Sequence, residues 1–424
     1  MILADVAGRA ADLAQIALGV GILRPLFRWL ERERPTRFAR TRHEPFAANG
    51  STFVRAVGAL EKAAFVAKML GTDGGYTSER GSDRDRETPR EGCEVIFAGD
   101  LLCPGRLDEL SLSSALRARI RRAACLVVNL EAVVGMHRNA IAPVLSGEGL
   151  SQLLAYNRDP NDARWVSRLA VDELAAFLRG ISVPRVVASV ANNHTLDDGL
   201  DGFARTVRLL RGLGITVVGD ARDDEGVSVI EIGPHRIGLV AMAYGSNRSS
   251  RSPDVHLQFD QVPYRLSRER MRALVARLRA RGATHPIALL HWGYEHEHEP
   301  APEQEECVAV LLDAGFSAVI GHHPHILQRS EWDGEHWVSY SLGDFVGGDR
   351  TIWSRIGSIV SLRLGPEGSV TGEMIATAQS PFWRPHETML LEEASALERW
   401  IFDRFFARKN RRTRPLSLAP MEAA

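Results

Sequence analysis

Cysteine is scarce in this chain, with four in 424 residues: Cys93, Cys103, Cys125 and Cys307. No two are spaced as CxxC, and no histidine joins them at zinc-finger spacing. The pattern speaks against a disulfide framework and against a thiolate-bound structural zinc, and is that of reduced thiols. Long apolar runs are missing too. The run at 16–23 is bracketed by Gln15 and Arg24 and falls far short of the roughly 20 residues that span a bilayer. Charge of one sign is also lacking. Lys plus Arg number 52 against 53 Asp plus Glu, so no global field draws the chain to nucleic acid or to an anionic membrane. The start, Met-Ile-Leu-Ala-Asp, puts no positive charge ahead of the apolar run, unlike a secretory signal. The location expected from these absences is the cytoplasm.

The 45% apolar fraction suits a globular protein with a sizeable core. The chain divides by composition into four parts. Residues 1–70 carry two helical patterns: Leu3, Val6, Ala10, Leu13, Ala17 and Val20 recur at helical spacing, and 52–70 repeats the habit. This extension is expected to pack on the main domain. The alternative is peripheral contact with a membrane surface, with Phe27, Trp29 and the nearby arginines at the interface. Residues 71–92 are rich in Gly, Ser and charge, too polar to offset their ordering entropy, and read as a flexible linker. Residues 93–391 alternate short apolar runs with helical patterns, the signature of an α/β domain whose sheets are covered. The spacing predicts strands at 94–100, 125–130, 185–190, 216–219, 287–290 and 318–320, and a hairpin of 227–232 with 236–243. Helices are predicted at 107–122, 163–179, 201–212, 267–281 and 302–314, with further strands at 337–341, 357–364 and 370–377. Two sheets in a sandwich with outer helices fit this order better than one open sheet. Residues 392–424 read as a helix and a basic tail, Arg408 to Arg414.

Polar residues collect at the predicted strand ends, where α/β folds place ligand sites on a rigid sheet. Asp100 closes Ala-Gly-Asp, and a carboxylate beside a glycine can approach a hard cation. Glu131 follows a buried run in Asn-Leu-Glu, and a buried carboxylate must be paired, neutral or metal-bound. Asn192-Asn193-His194 follows the third strand, with Asp197, Asp198 and Gly199 beyond it. His291 ends Ile-Ala-Leu-Leu-His, and Gly321-His322-His323-Pro324-His325 ends another buried run. Three histidines in five residues after a buried strand is the strongest single signal. Imidazole is the commonest neutral metal ligand, and alternate residues of an extended segment point the same way. The donors are oxygen and nitrogen, which suits Mn, Fe, Zn or Co better than Ca.

These motifs, in this order across about residues 94–347, resemble the CapA (poly-γ-glutamate capsule synthesis) family of the calcineurin-like metallophosphoesterase superfamily. Gly214-Ile215 through Gly219, His291-Trp292-Gly293 with Glu295, and Ser339-Tyr340-Ser341-Leu342-Gly343 belong to the match. The resemblance implies a four-layered α-β-β-α metallophosphoesterase-like sandwich, here with an N-terminal helical extension. It implies one or two divalent metal ions held by Asp100, Glu131, Asn193, His291, His323 and His325, with Glu131 and Asn193 between the metals. It makes His194 the general acid and leaves His322 out of the ligand set. Two departures stand out. The wider superfamily reads Asp-x-His in its first motif, but the residue two after Asp100 is Leu102. The family usually reads Leu-Gly-Asn-Phe near the end, but here it is Leu342-Gly343-Asp344-Phe345, so Asp344 offers a carboxylate to the depleted site.

The function implied is metal-dependent hydrolysis of a phosphoester or of a glutamyl-polymer amide. Its rival is a non-catalytic capsule assembly factor that binds an anionic polymer or a synthase partner. Removing residues 1–90 is expected to spare hydrolysis but abolish an assembly role. Specificity is expected from segments 134–164 and 244–264, the latter holding Asn247, Arg248 and Arg251.

Overall fold

The computed structural model describes residues 2–23, 94–102, 106–138, 166–222, 227–243, 245–246, 266–347, 351–381 and 384–406. The helical pattern at 52–70, the linker, Phe27, Trp29, the loop arginines 248 and 251 and the basic tail lie outside these residues.

In chain order the elements are α1 (Ile2–Leu18), β1 (Glu94–Leu101), β2 (Ser111–Leu112), α2 (Ser114–Arg121), β3 (Cys125–Leu130), β4 (Val133–Gly135) and β5 (Arg168–Ala170). Then come α3 (Val171–Ile181), β6 (Val186–Ser189), α4 (Gly199–Gly212), β7 (Thr216–Val218), β8 (Val227–Ile232) and β9 (His235–Ala243). The chain continues through α5 (Arg268–Ala280), β10 (His285–His291), α6 (Pro302–Ala314), β11 (Ala318–His322), β12 (Ser330–Trp332), β13 (Trp337–Ser339) and β14 (Asp344–Val346). It closes with β15 (Ile356–Leu364), β16 (Val370–Gln379), β17 (Glu387–Leu390) and α7 (Ala396–Ile401).

Two sheets carry the fold. One has the order β2-β17-β16-β15-β1-β3-β6-β7, with β14 also paired to β1; the other runs β12-β13-β11-β10-β9-β8. Side-chain alternation along each strand divides the core into three seams. Val95, Phe97, Val127 and Val187 point inward to meet Leu239, Ile287, Leu289 and Ile320 of the second sheet. Their neighbours Ile96, Ala98, Leu126 and Val128 point outward, under Leu116 and Ile120 of α2, Phe177 of α3 and Phe203 of α4. On the far side Met242, Ala288, Leu290 and Val319 pack under Met271 and Leu278 of α5 and Leu311 of α6. Three seams separate four layers, helices, sheet, sheet, helices, as the resemblance implies. Both faces of each central strand are buried, which is why these strands read as continuous apolar runs.

Two predicted helices are corrected. Within 107–122 the chain makes a 3-10 turn (Leu107–Glu109), then β2, and only then α2, whose cap Ser113 accepts from the Leu116 amide at 3.2 Å. Within 163–179 residues Arg168–Ala170 are strand and the helix begins at Val171. Both strands exist because of partners distant in sequence, β17 for β2 and β4 for β5. Local periodicity carries no trace of them.

Helix α1 is tied to the rest of the chain by buried charge. Arg355 donates to Asp12 at 2.8 and 3.2 Å and to Glu398 of α7 at 2.9 Å. Ile16 and Val20 pack on a seam formed by Ile352, Trp353, Phe405 and Phe406. Deleting residues 1–90 would therefore strip Arg355 of an anion, and does not cleanly separate an assembly role from hydrolysis. Among the described residues no helix is long and apolar enough to cross a membrane.

Candidate metal centre

Parallel strands bring distant motifs to one edge. β1, β3 and β6 run parallel in the first sheet, and β9, β10 and β11 in the second. Their carboxyl ends place Asp100, Glu131, Asn193, His291, His323 and His325 together. The turn that follows β6 is held by its own amides. Asn192 donates to the carbonyl of Leu130 at 2.7 Å, fastening this strand end to the previous one, and accepts from the His194 amide at 3.1 Å.

The segment after β11 is not extended as the sequence suggested. His323 and His325 have φ of 99° and 56°. Left-handed conformations of this kind cost about 1–3 kcal/mol for residues with a side chain and cluster at functional sites. Here they turn both imidazoles inward. His322 Nε2 lies 3.3 Å from the carbonyl of Ala98.

Donor atoms converge on two adjoining points. On one side His291 Nε2 lies 2.8 Å from Asn193 Oδ1, 3.0 Å from His323 Nδ1 and 3.5 Å from Glu131 Oε1. On the other, His325 Nε2 lies 3.6 Å from Glu131 Oε1, and His325 Nδ1 lies 3.6 Å from Asp100 Oδ2 and 2.8 Å from Asp344 Oδ1. Three overlapping groups have ligand atoms all within 4.8 Å of one another: Glu131–His323–His325, Asp100–Glu131–His291 and Asp100–His325–Asp344. Donors sharing a cation bonded at about 2.0–2.2 Å stand about 3–3.5 Å apart, so the spacings fit a divalent ion.

The electrostatics fit as well. Glu131 is 0% exposed, and neither of its carboxylate oxygens accepts a hydrogen bond among the described residues. Burial drives its carboxyl well above the usual range, helped by the neighbouring charges of Asp100, Asp344 and Glu295. His325 is raised as well: burial opposes its charge, but Glu131, Asp344 and Asp100 outweigh burial. The first shift reports burial and the second the carboxylates around His325, and a cation would favour the ionised Glu131 and take the place of the His325 proton. His291 and His323 are pushed well below the ordinary value, first by burial and then by neighbouring histidines. They are thus neutral imidazoles, the form that binds metal.

His194 stands apart from this group, 8% exposed. Its Nδ1 lies 2.7 Å from Asp197 Oδ2, which also accepts from the Ser167 amide at 2.7 Å. A carboxylate only accepts, so Nδ1 carries the proton of this contact and Nε2 is the other nitrogen of the ring. Sequence reasoning did not foresee how three supporting residues act. Asn129 donates to Asp100 Oδ1 at 2.7 Å and lies 3.1 Å from His291 Nδ1, tying two candidate ligands together. Asp197 was noted only as part of its motif, although its place three residues after His194 was a usable signal. Asp344 was expected to offer a carboxylate to the depleted site, but nothing in the sequence shows that β14 sets it in register with Asp100 and against His325.

A family model described as the bacterial capsule synthesis protein PGA_cap matches residues 94–349, more than half of the chain. The capsule biosynthesis protein CapA of Bacillus anthracis is 25% identical over 45% of this chain and 46% of its own length. The PGA biosynthesis protein CapA of Bacillus subtilis is 25% identical over 43% and 48%. A probable polyglutamine synthesis accessory protein of Mycobacterium tuberculosis is 29% identical over 38% and 44%. The chain thus spans about half the length of the curated relatives it matches. With its fold and its ordered strand-end motifs, this chain belongs to the bacterial capsule synthesis protein PGA_cap family.

Proposed function

We propose that the chain is a metal-dependent hydrolase serving capsule or polyglutamate synthesis, acting on a phosphoester or on the amide of a glutamyl polymer. The observation that carries this is Glu131, a fully buried carboxylate without a hydrogen bond among the described residues, set amid converging imidazole and amide donors. Asp100, Glu131, Asn193, His291, His323 and His325 hold one or two divalent ions. The mixed nitrogen and oxygen donors suit Mn, Fe or Zn. When bound, such an ion supplies Lewis acidity, polarising a phosphoryl or carbonyl oxygen and acidifying water toward neutral pH. The chain's own part is to keep His291 and His323 neutral by burial and to hold His194 by its Nδ1 against Asp197. From that position the His194 ring gives a proton through Nε2 to the departing oxygen or nitrogen. The relatives are proteins of capsule, PGA and polyglutamine synthesis, and a polymer or its synthase is the partner that goes with this reading. The location that goes with it is the cytoplasm, with a peripheral membrane contact through α1 and the turn after it, on which Val6, Leu13 and Ile22 are exposed.

One observation favours the rival assembly factor, the absence of an imidazole at Leu102. Elemental analysis of the purified protein, beside a His323→Ala/His325→Ala control, separates the two. One or two equivalents of Mn, Fe or Zn, lost in the control, are expected. No metal even after reconstitution would put the assembly factor first. His194→Ala is expected to keep its metal and lose about 10²–10⁴-fold in turnover of a model phosphoester or glutamyl polymer. Undiminished turnover would remove His194 from its role.

A further inference from the structure

The two sides of the centre are differently furnished. His291, His323 and Asn193 gather at Glu131 on one side, while on the other His325 stands between Glu131 and Asp344, and Leu102 supplies no imidazole. His325 differs from the rest in the partner of its Nδ1. That atom lies 2.8 Å from Asp344 Oδ1, nearer than the 3.6 Å to Asp100 Oδ2. Its Nε2 points the other way, 3.6 Å from Glu131 Oε1. The pairing repeats what Asp197 does at His194 Nδ1.

We infer that Asp344 is the positioning residue for His325 in the cation site: it fixes His325 in the Nδ1–H form, so that the bare Nε2 joins Glu131 and His323 as a ligand. This rests on the proposal above that the centre binds metal.

The backbone is arranged for this contact. β14 is a three-residue strand paired parallel to β1, with Asp344 in register with Asp100. The approach is close enough that the Asp100 amide donates to the Gly343 carbonyl at 3.0 Å. A side chain at residue 99 would put its Cβ 1.9 Å from that carbonyl oxygen, so Gly99 permits the approach. Asp344 and Asp100 are both buried, and two carboxylates side by side repel unless positive charge stands between them. His325 Nδ1 lies against both, 2.8 Å from Asp344 Oδ1 and 3.6 Å from Asp100 Oδ2, and a cation in the centre would supply that charge. A carboxylate at the remote nitrogen of a metal-binding imidazole sets its tautomer and strengthens its donation, and losing such a partner typically costs about 10–100-fold in metal affinity. The side chain at 344 therefore works through His325 rather than on the ion.

The test uses Zn²⁺, which is diamagnetic, on the full chain. Two-bond ¹⁵N–¹H correlation spectra of the loaded protein are expected to show His325 as the Nδ1–H tautomer with Nε2 shifted by the metal. An Nε2–H tautomer would overturn the inference and make Nδ1, with Asp344 beside it, the ligating side. In Zn²⁺ titrations Asp344→Ala should weaken the equivalent that His325 holds about 10–100-fold. Asp344→Asn, whose amide oxygen still accepts from Nδ1, should lose less. Two equivalents bound by Asp344→Ala as tightly as by the wild type would sink the inference while leaving the metal centre intact. No Zn²⁺ bound by the wild type would instead overturn the parent proposal, and this inference with it. The tautomer is read in the unmutated protein, so the test does not depend on the variants folding.

Discussion

Two clusters of buried carboxylates sit in this molecule, and they differ in where their positive charge comes from. In the first, Asp12 of α1 and Glu398 of α7 share Arg355, all three almost fully buried. The guanidinium donates to both carboxylates, so each has a cationic partner from within the chain, and the result is a staple between α1 and α7. In the second, Asp100, Glu131 and Asp344 meet histidines, and Glu131 accepts no hydrogen bond among the described residues. Burial alone therefore does not mark a ligand site. What marks it is a carboxylate whose demand for positive charge the protein leaves open.

Removing the internal cation should have the largest effect. Arg355→Ala leaves Asp12 and Glu398 buried without their shared partner and is expected to cost about 3–5 kcal/mol in urea unfolding, with metal content unchanged. A cost below about 1 kcal/mol would fall in the range of exposed pairs and erase the contrast between the clusters. Glu131→Gln is the matching change at the centre. The metal-free variant should be no less stable than the wild type, because a neutral amide suits that burial at least as well. It should lose the stabilisation that Mn²⁺ gives the wild type, about 2.7 kcal/mol at one hundred times Kd. An equal gain with Mn²⁺ in both proteins, read from unfolding midpoints, would show that Glu131 is not a ligand.

The smallest effect concerns pH. Burial pushes the Asp12 carboxyl above its ordinary value of 3.8, despite Arg355. The folded protein then holds this proton more tightly than the unfolded chain does. Stability contributed by Asp12 is complete below about 3.8, falls as pH rises through the folded value, and is level above it. Asp12→Asn should remove that fall from a series of unfolding curves across acid pH. An unchanged slope would assign the pH dependence to other groups.

Much of the centre was legible because its ligands end runs that read as strands from composition alone. Asp100, Glu131, Asn193 and His291 follow apolar stretches buried on both faces, and such stretches need no partner to be recognised. The short strands were not legible. β2, β5, β12, β14 and β17 have two to four residues each, too few for a period to show, and pairing with distant segments defines them. The histidine run shows the same limit. Its residue types announced a ligand site, but the left-handed turns at His323 and His325 arise from packing, against local preference.

By itself the sequence determined the class of fold, the order of its strands and the chemistry gathered at their ends, because periodicity and residue type are local properties. Tertiary structure alone decided which carboxylate faces which imidazole: Asp344 on His325, Asp197 on His194, and Asp12 on Arg355 across 343 residues of chain. Hydrogen bonds act over about 3 Å, and only the folded chain brings residues so far apart in sequence within that reach.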